Sequence, residues 1–302
     1  MPHGAKGGHI YGAIEGGGTK FVCAVATAPD RILERVSVPT AEPPVTLAEC
    51  VRFFAAAERT HGKIAAFGIG CFGPIELDAS RANYGCMLPT PKPGWTGADV
   101  LAPLRAAFDA PIALDTDVAA AAAAEWRLGA GRGAGSLAYV TVGTGIGGAV
   151  VPRAAGRRLM HAEMGHLPLR RDARDAGFAG VCPFHGDCAE GLASGPAIRA
   201  RWGSTLDALP ADHFGRALIA GYVGQLAAAI ALLASVERIV IGGGVMGGGA
   251  LVPLVRAAAL DYLNGYLAPL NDPQRAAGYI CAPALGGDAG VVGALLLAAD
   301  AS

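Results

Sequence analysis

A glycine-rich hairpin pattern occurs twice in this chain and restricts the folds that it can adopt. Residues 10–27 read IYGAIEGGGTKFVCAVAT and residues 137–152 read LAYVTVGTGIGGAVVP. In each, an apolar β-type run leads into Gly and Thr and then into a second apolar run, whereas the glycine turn of a P-loop or dinucleotide-binding unit opens a helix. Glycine permits φ > 0, which turns N–H groups toward an anion, and Thr adds a hydroxyl donor. The pair predicts a duplicated domain with a nucleotide between its copies; the alternative is two ordinary hairpins.

Composition supports a globular protein of two modest domains. Of the 302 residues, 52% are hydrophobic and 16% are charged, and 24 basic residues nearly cancel 25 acidic ones. This balance indicates neither a nucleic-acid nor a membrane partner. No apolar run reaches the roughly 18 residues that a membrane helix needs, and the longest, at 226–234, is predicted to be a buried helix. The beginning of the sequence lacks the apolar core of a signal peptide, and the seven cysteines are an odd number, mostly scattered. We therefore expect a cytoplasmic protein.

Strand and helix patterns alternate along the chain. A helix is predicted at 45–61, with Thr46 and Glu49 as a capping box, and a long loop at 78–97. The predicted first domain is α/β, covers residues 1–116, and is completed by the last helix, 291–302. The second α/β domain covers residues 117–290 and includes a Gly/Cys/His-rich insertion at 160–195.

Asp117 lies at the start of an alanine-rich helix that follows a short apolar strand. Its ordinary role there is to cap the helix. The functional alternative is a general base that accepts a proton from an attacking hydroxyl. The helix dipole should lower the pKa of this carboxyl group, and a weak base is acceptable in phosphoryl transfer, where positioning and charge neutralisation supply most of the acceleration.

The insertion contains a pattern typical of a metal site. His166 precedes CPFHGDC, in which Cys182, His185 and Cys188 follow at steps of three residues. Two nitrogen and two sulfur ligands with no water position indicate structural zinc; the alternative is free thiols and unrelated histidines. Glu163 and Glu190 flank the insertion's ligands and could accept hydrogen bonds from a polyol, or they could be surface glutamates.

A third glycine cluster follows an apolar strand near residue 240. Gly242, Gly244 and Gly247 have the spacing of a dinucleotide fingerprint, which alone would suggest NAD. The position near the end of the chain is unusual for a first βαβ unit. We therefore interpret residues 242–246 as a backbone surface on which an adenine or a ribose lies.

Taken together, several segments resemble the ROK family of sugar kinases, and the bacterial fructokinases in particular. They are EGGGTK, the DTDV–Ala run, TVGTGIGG, HAEMGH, CPFHGDCAEGLASG and IGGGVM, with CFGPIELD and TPKPGW as the fructokinase-like segments. The resemblance covers about residues 10–299. It implies the actin/hexokinase-type fold, in which two ribonuclease-H-like α/β domains close on sugar and MgATP.

The resemblance also implies a role for each matching residue. Asp117 would be the catalytic base, and Glu15 would help to position Mg²⁺. The residues implied to bind ATP and its phosphates are Glu15, Gly17, Gly18, Thr19, Lys20, Thr144, Gly145, Gly147, Gly242, Gly243 and Gly244. The residues implied to bind the sugar are Gly73, Pro74, Thr116, Asp117, Glu163, His166 and Glu190. The zinc ligands would be His166, Cys182, His185 and Cys188. Thr116 and Ala119 stand where the family usually has Asn.

The activity that follows from the resemblance is ATP-dependent phosphorylation of D-fructose at the 6-hydroxyl. The alternatives are a broad manno-/glucokinase, a sugar sensor without catalysis and an NAD-dependent dehydrogenase. The repressors of the family carry a winged helix before the kinase core, and only nine residues precede Ile10, so we expect no DNA binding. Family members are commonly dimers, which implies a homodimer.

Overall fold

The computed structural model describes residues 9–152 and 160–302. The chain divides into two compact units. The first comprises Met1–Ala121, described from residue 9 onward, together with Gly290–Ser302; the second comprises Ala122–Ala289.

The first unit is built on a five-stranded sheet with the order β3-β2-β1-β4-β5. Strands β1 to β3 are antiparallel neighbours, while β1, β4 and β5 run parallel. The strands are β1 (Ile10–Gly16), β2 (Lys20–Ala28), β3 (Arg31–Pro39), β4 (Ile64–Cys71) and β5 (Ile112–Thr116). The helices are α1 (Pro43–His61), α2 (Ala102–Ala107), α3 (Asp117–Arg127), which continues into the second unit, and α9 (Ala289–Ala301).

The second unit repeats the hairpin-plus-parallel-strand arrangement in a four-stranded sheet with the order β7-β6-β8-β9. Its hairpin strands are antiparallel, and β6, β8 and β9 run parallel. The strands are β6 (Leu137–Val142), β7 (Ile146–Val151), β8 (Arg238–Gly242) and β9 (Ile280–Cys281). The helices are α4 (Ala189–Ala193), α5 (Gly195–Trp202), α6 (Gly215–Ala234), α7 (Val252–Leu263) and α8 (Pro273–Tyr279).

Small residues allow α9 to pack closely in the first unit. A Cβ atom on Gly68 of β4 would lie 1.9 Å from the carbonyl oxygen of Ala294, and one on Gly293 would lie 2.0 Å from that of Ala120. Both positions exclude any side chain, because a packed interior has no spare space. Residues of α9 are therefore part of the core beneath the first sheet.

The predicted capping box of α1 is wrong. The helix begins at Pro43, and its N-cap, Glu42, makes no side-chain capping hydrogen bond. The hydroxyl of Thr46 instead accepts a hydrogen bond from the N–H of Ala41 at 2.9 Å and donates to the carbonyl oxygen of Pro39 at 3.2 Å. Proline supplies the helical φ at the first position, and Thr46 binds the preceding strand end.

Helix α6 is longer than the sequence suggested. Gly224 and Gln225 lie inside the helix, which has 20 residues and contains an 18-residue window with a mean hydropathy of 2.0. Among the described residues this helix is long and apolar enough to cross a membrane, but 61% of that window is buried inside the protein. Gly224 lets it approach α7, since a Cβ there would lie 2.7 Å from that of Ala258. We therefore interpret α6 as the core helix of the second unit.

Candidate active site

The carboxyl ends of three parallel strands meet at one edge of the first sheet. Gly16 of β1 pairs with Cys71 of β4, and Cys71 pairs with Thr116 of β5. Each strand leads directly into a predicted site segment: the first glycine-rich loop at 17–20, the Gly73–Pro74 turn and Asp117. Ligands bind at this edge in open α/β sheets, so the topology collects the sequence-predicted residues of this unit.

Asp117 is the first residue of α3, and Thr116 supplies the cap. The hydroxyl oxygen of Thr116 accepts a hydrogen bond from the N–H of Ala119 at 3.2 Å, as an N-cap does. One carboxylate oxygen of Asp117 accepts from the N–H of Val118 at 2.8 Å. Because Thr116 performs the capping, the carboxylate of Asp117 is left for another role.

The pKa of Asp117 moves opposite to the sequence-based expectation. Burial raises it to about 6, even though the hydrogen bonds from the backbone N–H groups of Val118 and Asp117 lower it. The desolvation of the charged carboxylate outweighs the stabilisation that the helix N-terminus gives it. A carboxylate with this pKa is a better proton acceptor than an ordinary aspartate and is still mostly ionised at neutral pH.

The first glycine-rich loop turns its carbonyl groups toward protein donors. Gly17 and Thr19 accept hydrogen bonds from the hydroxyl and the N–H of Thr40, at 2.7 and 3.0 Å. The carbonyl of Gly18 accepts from the Lys92 ammonium at 2.8 Å, and that of Lys20 from the N–H of Gly17 at 2.9 Å. In a trans peptide the N–H points opposite to the carbonyl. No other described residue accepts a hydrogen bond from the N–H of Gly18 or Thr19, so these two amides are available to an anion.

The expected left-handed conformation of the loop glycines is wrong. Neither Gly17 nor Gly18 has a positive φ, nor do Gly143 and Gly145. A Cβ on Gly18 or Gly143 would meet no atom within 4 Å. Glycine therefore leaves open space beside the backbone at these positions, which a ligand can enter.

Other predicted residues of the first unit lie around this loop. Glu15 is half-buried on β1, and a Cβ on Gly290 would lie 2.3 Å from its carboxyl carbon, so the glycine makes room for the carboxylate. Thr19 and Lys20 are exposed. The Gly73–Pro74 peptide is cis, and the carbonyl of Pro74 accepts a hydrogen bond from the N–H of Leu88 at 2.8 Å.

The second glycine-rich loop, between β6 and β7, repeats the arrangement. Gly143 accepts a hydrogen bond from the N–H of Gly195 at 2.7 Å and donates to the carbonyl of Gly145 at 2.8 Å. Thr144 is exposed, and no described residue accepts a hydrogen bond from its N–H or that of Gly145. Gly147 lies on β7 opposite Thr141. Two loops in separate units thus present free backbone amides.

Glu190 supports the second loop. Its carboxylate accepts a hydrogen bond from the N–H of Ile146 at 3.0 Å, and a Cβ on Gly145 would lie 2.7 Å from the same oxygen. A residue predicted to bind sugar thus also holds the backbone of a predicted phosphate loop. The sequence carries no signal for this contact, because it joins positions 44 residues apart.

The third glycine cluster lies beside the second loop but does not form a dinucleotide fingerprint. Gly243 has φ +95°, and a Cβ there would lie 2.4 Å from the carbonyl oxygen of Val142, the last residue of β6. The segment Gly244–Gly249 forms a 3₁₀ helix interrupted at Gly247 and Gly248, where the NAD motif would require the start of an α-helix. Gly244 is exposed, with no atom within 4 Å of a Cβ. The geometry excludes the fingerprint interpretation.

The four predicted metal ligands converge. One side-chain donor atom from each of His166, Cys182, His185 and Cys188 lies within 4.8 Å of every other. Nδ1 of His166 is 3.7 Å from Sγ of Cys182 and 3.5 Å from Sγ of Cys188, and Nδ1 of His185 is 3.7 Å from Sγ of Cys182. Tetrahedral zinc bonds place nitrogen and sulfur ligands about 3.6 Å apart. The donor set therefore fits a four-coordinate zinc ion.

A buried ion pair holds the insertion that carries the predicted metal ligands. Nε and Nη2 of Arg201 donate to the carboxylate of Asp175, at 2.9 and 2.8 Å, and the hydroxyl of Tyr222 donates to it at 2.8 Å. Burial raises the pKa of Asp175, but these hydrogen bonds hold it below the usual value. Arg171 donates to the carbonyl of Asp175 at 2.6 Å and to the carboxylate of Asp187, which lies between two predicted metal ligands, at 3.1 Å. Sequence reasoning missed this pairing because its members are far apart along the chain.

Glu163, also predicted to bind sugar, is half-buried one residue before a short 3₁₀ helix that ends at His166. Its carboxylate lies 3.3 Å from Nδ1 of His161. His161 belongs to the HAEMGH segment, but the sequence analysis predicted no role for it. Because Nδ1 of His166 faces the two thiols, its other ring nitrogen is left for a different partner.

Comparison with known proteins identifies the family. The sequence profile of the ROK family matches residues 11–301. The chain belongs to the ROK family. A fructokinase from Zymomonas mobilis is 42% identical in an alignment of 295 residues that covers 96% of each chain. A putative fructokinase from Bacillus subtilis is 38% identical over 293 residues, 97% of this ROK protein and 96% of the relative.

Solved structures of ROK proteins have the same fold. A ROK hexokinase from Thermus thermophilus is 28% identical, with a TM-score of 0.73, over 96% of this chain and 97% of that one. A ROK glucokinase from Streptomyces griseus, in complex with glucose and AMPPNP, is 26% identical with a TM-score of 0.70, over 97% and 99%. The predicted family and the predicted actin/hexokinase-type α/β fold are therefore confirmed.

Proposed function

We propose that this ROK protein is an ATP-dependent fructokinase. The 6-hydroxyl oxygen of D-fructose attacks the γ-phosphorus of ATP, the bond from that phosphorus to the β–γ bridging oxygen breaks, and fructose 6-phosphate and ADP leave. Five relatives named fructokinase or putative fructokinase, 36–42% identical over 85–97% of this chain, support the choice of sugar.

The observation that carries the proposal is the state of Asp117. Its carboxylate stands at the carboxyl edge of the first sheet, is not needed as the helix cap, and has a pKa of about 6. At pH 7 about nine-tenths of such groups are ionised. In our proposal Asp117 accepts the proton that the sugar hydroxyl loses. Thr116, which is buried, holds the start of α3 and thereby orients the base.

The two glycine-rich loops would bind the phosphates. Free amides at Gly18 and Thr19 in the first loop, and at Thr144 and Gly145 in the second, can donate to phosphate oxygens. When bound, Mg²⁺ would neutralise part of the phosphate charge, and Glu15 is the residue that would hold it, directly or through water. Lys20 and Gly17 complete the first loop and Gly147 the second. The backbone of Gly242, Gly243 and Gly244, with open space beside Gly244, would lie under the adenosine.

The sugar would be held by the carboxylates and the imidazole of the insertion. Glu163, His166 and Glu190 can hydrogen-bond hydroxyl groups, and Gly73 and Pro74 would contact the sugar from the first unit. Zinc would cross-link His166, Cys182, His185 and Cys188 and so stiffen the insertion. The ligand distances support zinc rather than free thiols.

We also infer a homodimer that works in the cytoplasm. Support for the dimer comes from large apolar side chains exposed in the second unit, such as Leu233 and Tyr266, which are 78% and 80% exposed. Such side chains are enriched at protein interfaces. Equilibrium sedimentation at several protein concentrations tests this inference, and a monomer throughout would contradict it.

The decisive experiment is ADP release with MgATP and fructose, glucose or mannose. A kcat/KM for fructose at least tenfold above the others supports fructokinase. Similar values on several hexoses would replace it with a broad hexokinase, the second candidate, favoured by the hexokinase and glucokinase structures at 26–28% identity. No turnover, together with a sugar-induced rise in Tm, would favour a sensor.

A further inference from the structure

Lys92 reaches the first glycine-rich loop from a distant part of the chain. Its ammonium donates a hydrogen bond to the carbonyl oxygen of Gly18 at 2.8 Å, across 74 residues of sequence. The TPKPGW segment that contains Lys92 contributed to the family resemblance, but none of the predicted site residues lies in it. The contact therefore brings an unassigned cation to a loop proposed to bind phosphate.

The turn that carries Lys92 is firmly held. Trp95 is completely buried, its ring lies against Phe21 and Phe72 with centroids 5.3 and 5.1 Å apart, and its indole N–H donates to the carbonyl of Ala41 at 2.9 Å. The N–H of Trp95 donates to the carbonyl of Lys92 at 3.2 Å. Prolines on both sides of Lys92 restrict φ. The lysine is thus presented from a support with little conformational freedom.

Gly94 shows how closely this turn approaches the strand–helix connection after β3. It has φ +77°, and a Cβ there would lie 2.2 Å from a carboxylate oxygen of Glu42. The positive φ favours glycine at this position. The turn is therefore packed onto the segment that includes Thr40, the other residue that donates to the loop's carbonyls.

Among the described residues that donate to the loop's carbonyls, Lys92 is the charged one. The neighbouring carbonyls of Gly17 and Thr19 accept from Thr40, through its hydroxyl and its N–H. Hydrogen bonds from a charged donor are about twice as strong as neutral ones. Because the carbonyl of Gly18 and the N–H of Thr19 belong to the same trans peptide, holding the carbonyl toward Lys92 directs the N–H to the opposite side.

We propose that Lys92 is a positioning residue for phosphoryl transfer, which holds the Gly18–Thr19 peptide so that the Thr19 N–H faces a nucleotide phosphate. The inference rests on the proposed kinase activity. Lys92 would act on nucleotide binding, because it fixes the direction of the Thr19 N–H before ATP arrives. The loop then need not rearrange when the phosphate binds. The KM for fructose should not depend on it.

The test compares Lys92→Met, which removes the donor and keeps an unbranched side chain, with Lys63→Met as a matched control. Lys63 is a lysine of the same unit with a 70% exposed side chain, 3.9 Å from Asp109. We expect Lys92→Met to lower kcat/KM for MgATP by about 10- to 100-fold and to weaken AMPPNP binding in calorimetry. The KM for fructose should stay within about twofold. Lys92→Arg should recover part of the loss, and Lys63→Met should match the wild type.

Three outcomes overturn the inference: an unchanged Kd for AMPPNP in Lys92→Met, a loss confined to the KM for fructose, or an equal loss in Lys63→Met. If the wild type turns over no hexose, the proposed function fails, and the AMPPNP Kd still decides the role of Lys92. Should Lys92→Met not fold, Lys92→Gln carries the test, because it removes the charge on the donor and keeps an unbranched polar side chain. It should weaken AMPPNP binding in the same direction, whereas wild-type affinity would refute the role of Lys92.

Discussion

The pH dependence of turnover follows from the environment of Asp117. Burial raises the pKa of its carboxyl group to about 6, and two backbone hydrogen bonds only partly offset that effect. The ionised form is the proton acceptor, so activity should be lost as pH falls through 6 and retained above it. Since protonation removes the base, kcat/KM should be halved near pH 6 and fall about tenfold for each further pH unit.

The assay measures kcat/KM for fructose at saturating MgATP between pH 5 and 8.5, with direct quantification of fructose 6-phosphate. Protein returned from pH 5 to pH 7.5 should regain full activity, which excludes acid unfolding. Asp117→Asn should lose turnover by about 10²- to 10⁴-fold, the usual contribution of a general base. Its residual activity should lack the acidic limb of the pH profile, that is, the fall in kcat/KM as the pH drops through 6.

Two results would refute this reasoning. An acidic limb near the ordinary aspartate pKa, about 4, would mean that the carboxylate is not desolvated in the working enzyme. An acidic limb that persists in Asp117→Asn would assign the pH dependence to another group, such as a phosphate of the nucleotide. Thr116→Val, which removes the cap acceptor but keeps the base, should lower kcat without abolishing the limb.

Three further predictions concern the second unit. Cys188→Ser should release the metal, about one zinc ion per chain in the wild type by atomic absorption, and should raise the KM for fructose more than that for MgATP. Glu125 is a fully buried carboxylate that accepts three backbone N–H bonds at 2.7–3.0 Å. Glu125→Gln should therefore lower the free energy of unfolding by about 2–4 kcal/mol, measured by urea unfolding. Asp175→Asn should cost about 3 kcal/mol, because it breaks the buried pair with Arg201, and should loosen the insertion in hydrogen exchange even with metal bound.

Each of these changes has a matched control in the same chain. Cys86→Ser alters a half-buried thiol outside the metal cluster, and an equal metal loss there would contradict the ligand assignment. Glu237 also accepts a backbone N–H, from Gly135 at 2.9 Å, but it is exposed. Equal destabilisation by Glu237→Gln would contradict the burial argument. Asp212→Asn, at an exposed site, should leave hydrogen exchange in the insertion unchanged.

Local sequence patterns were enough to predict the family, the fold class and most of the candidate site. The hairpins, the run of metal ligands at steps of three residues and the Asp at the start of an alanine-rich helix are all short-range features. Their spacing corresponds directly to strand, loop and helix geometry, which is why the four predicted ligands His166, Cys182, His185 and Cys188 converge.

Properties that depend on solvent exclusion or on distant neighbours were not in those patterns. The direction of the pKa shift at Asp117 reverses once burial is known. Only the tertiary structure shows that Thr116 caps the helix and that the carboxylate of Asp117 does not. The contact of Lys92 with Gly18 and that of Glu190 with Ile146 join positions 74 and 44 residues apart. Periodicity along the chain reports which face of an element is apolar, but long-range contacts and local dielectric arise from how those faces pack, and these set the chemistry of the site.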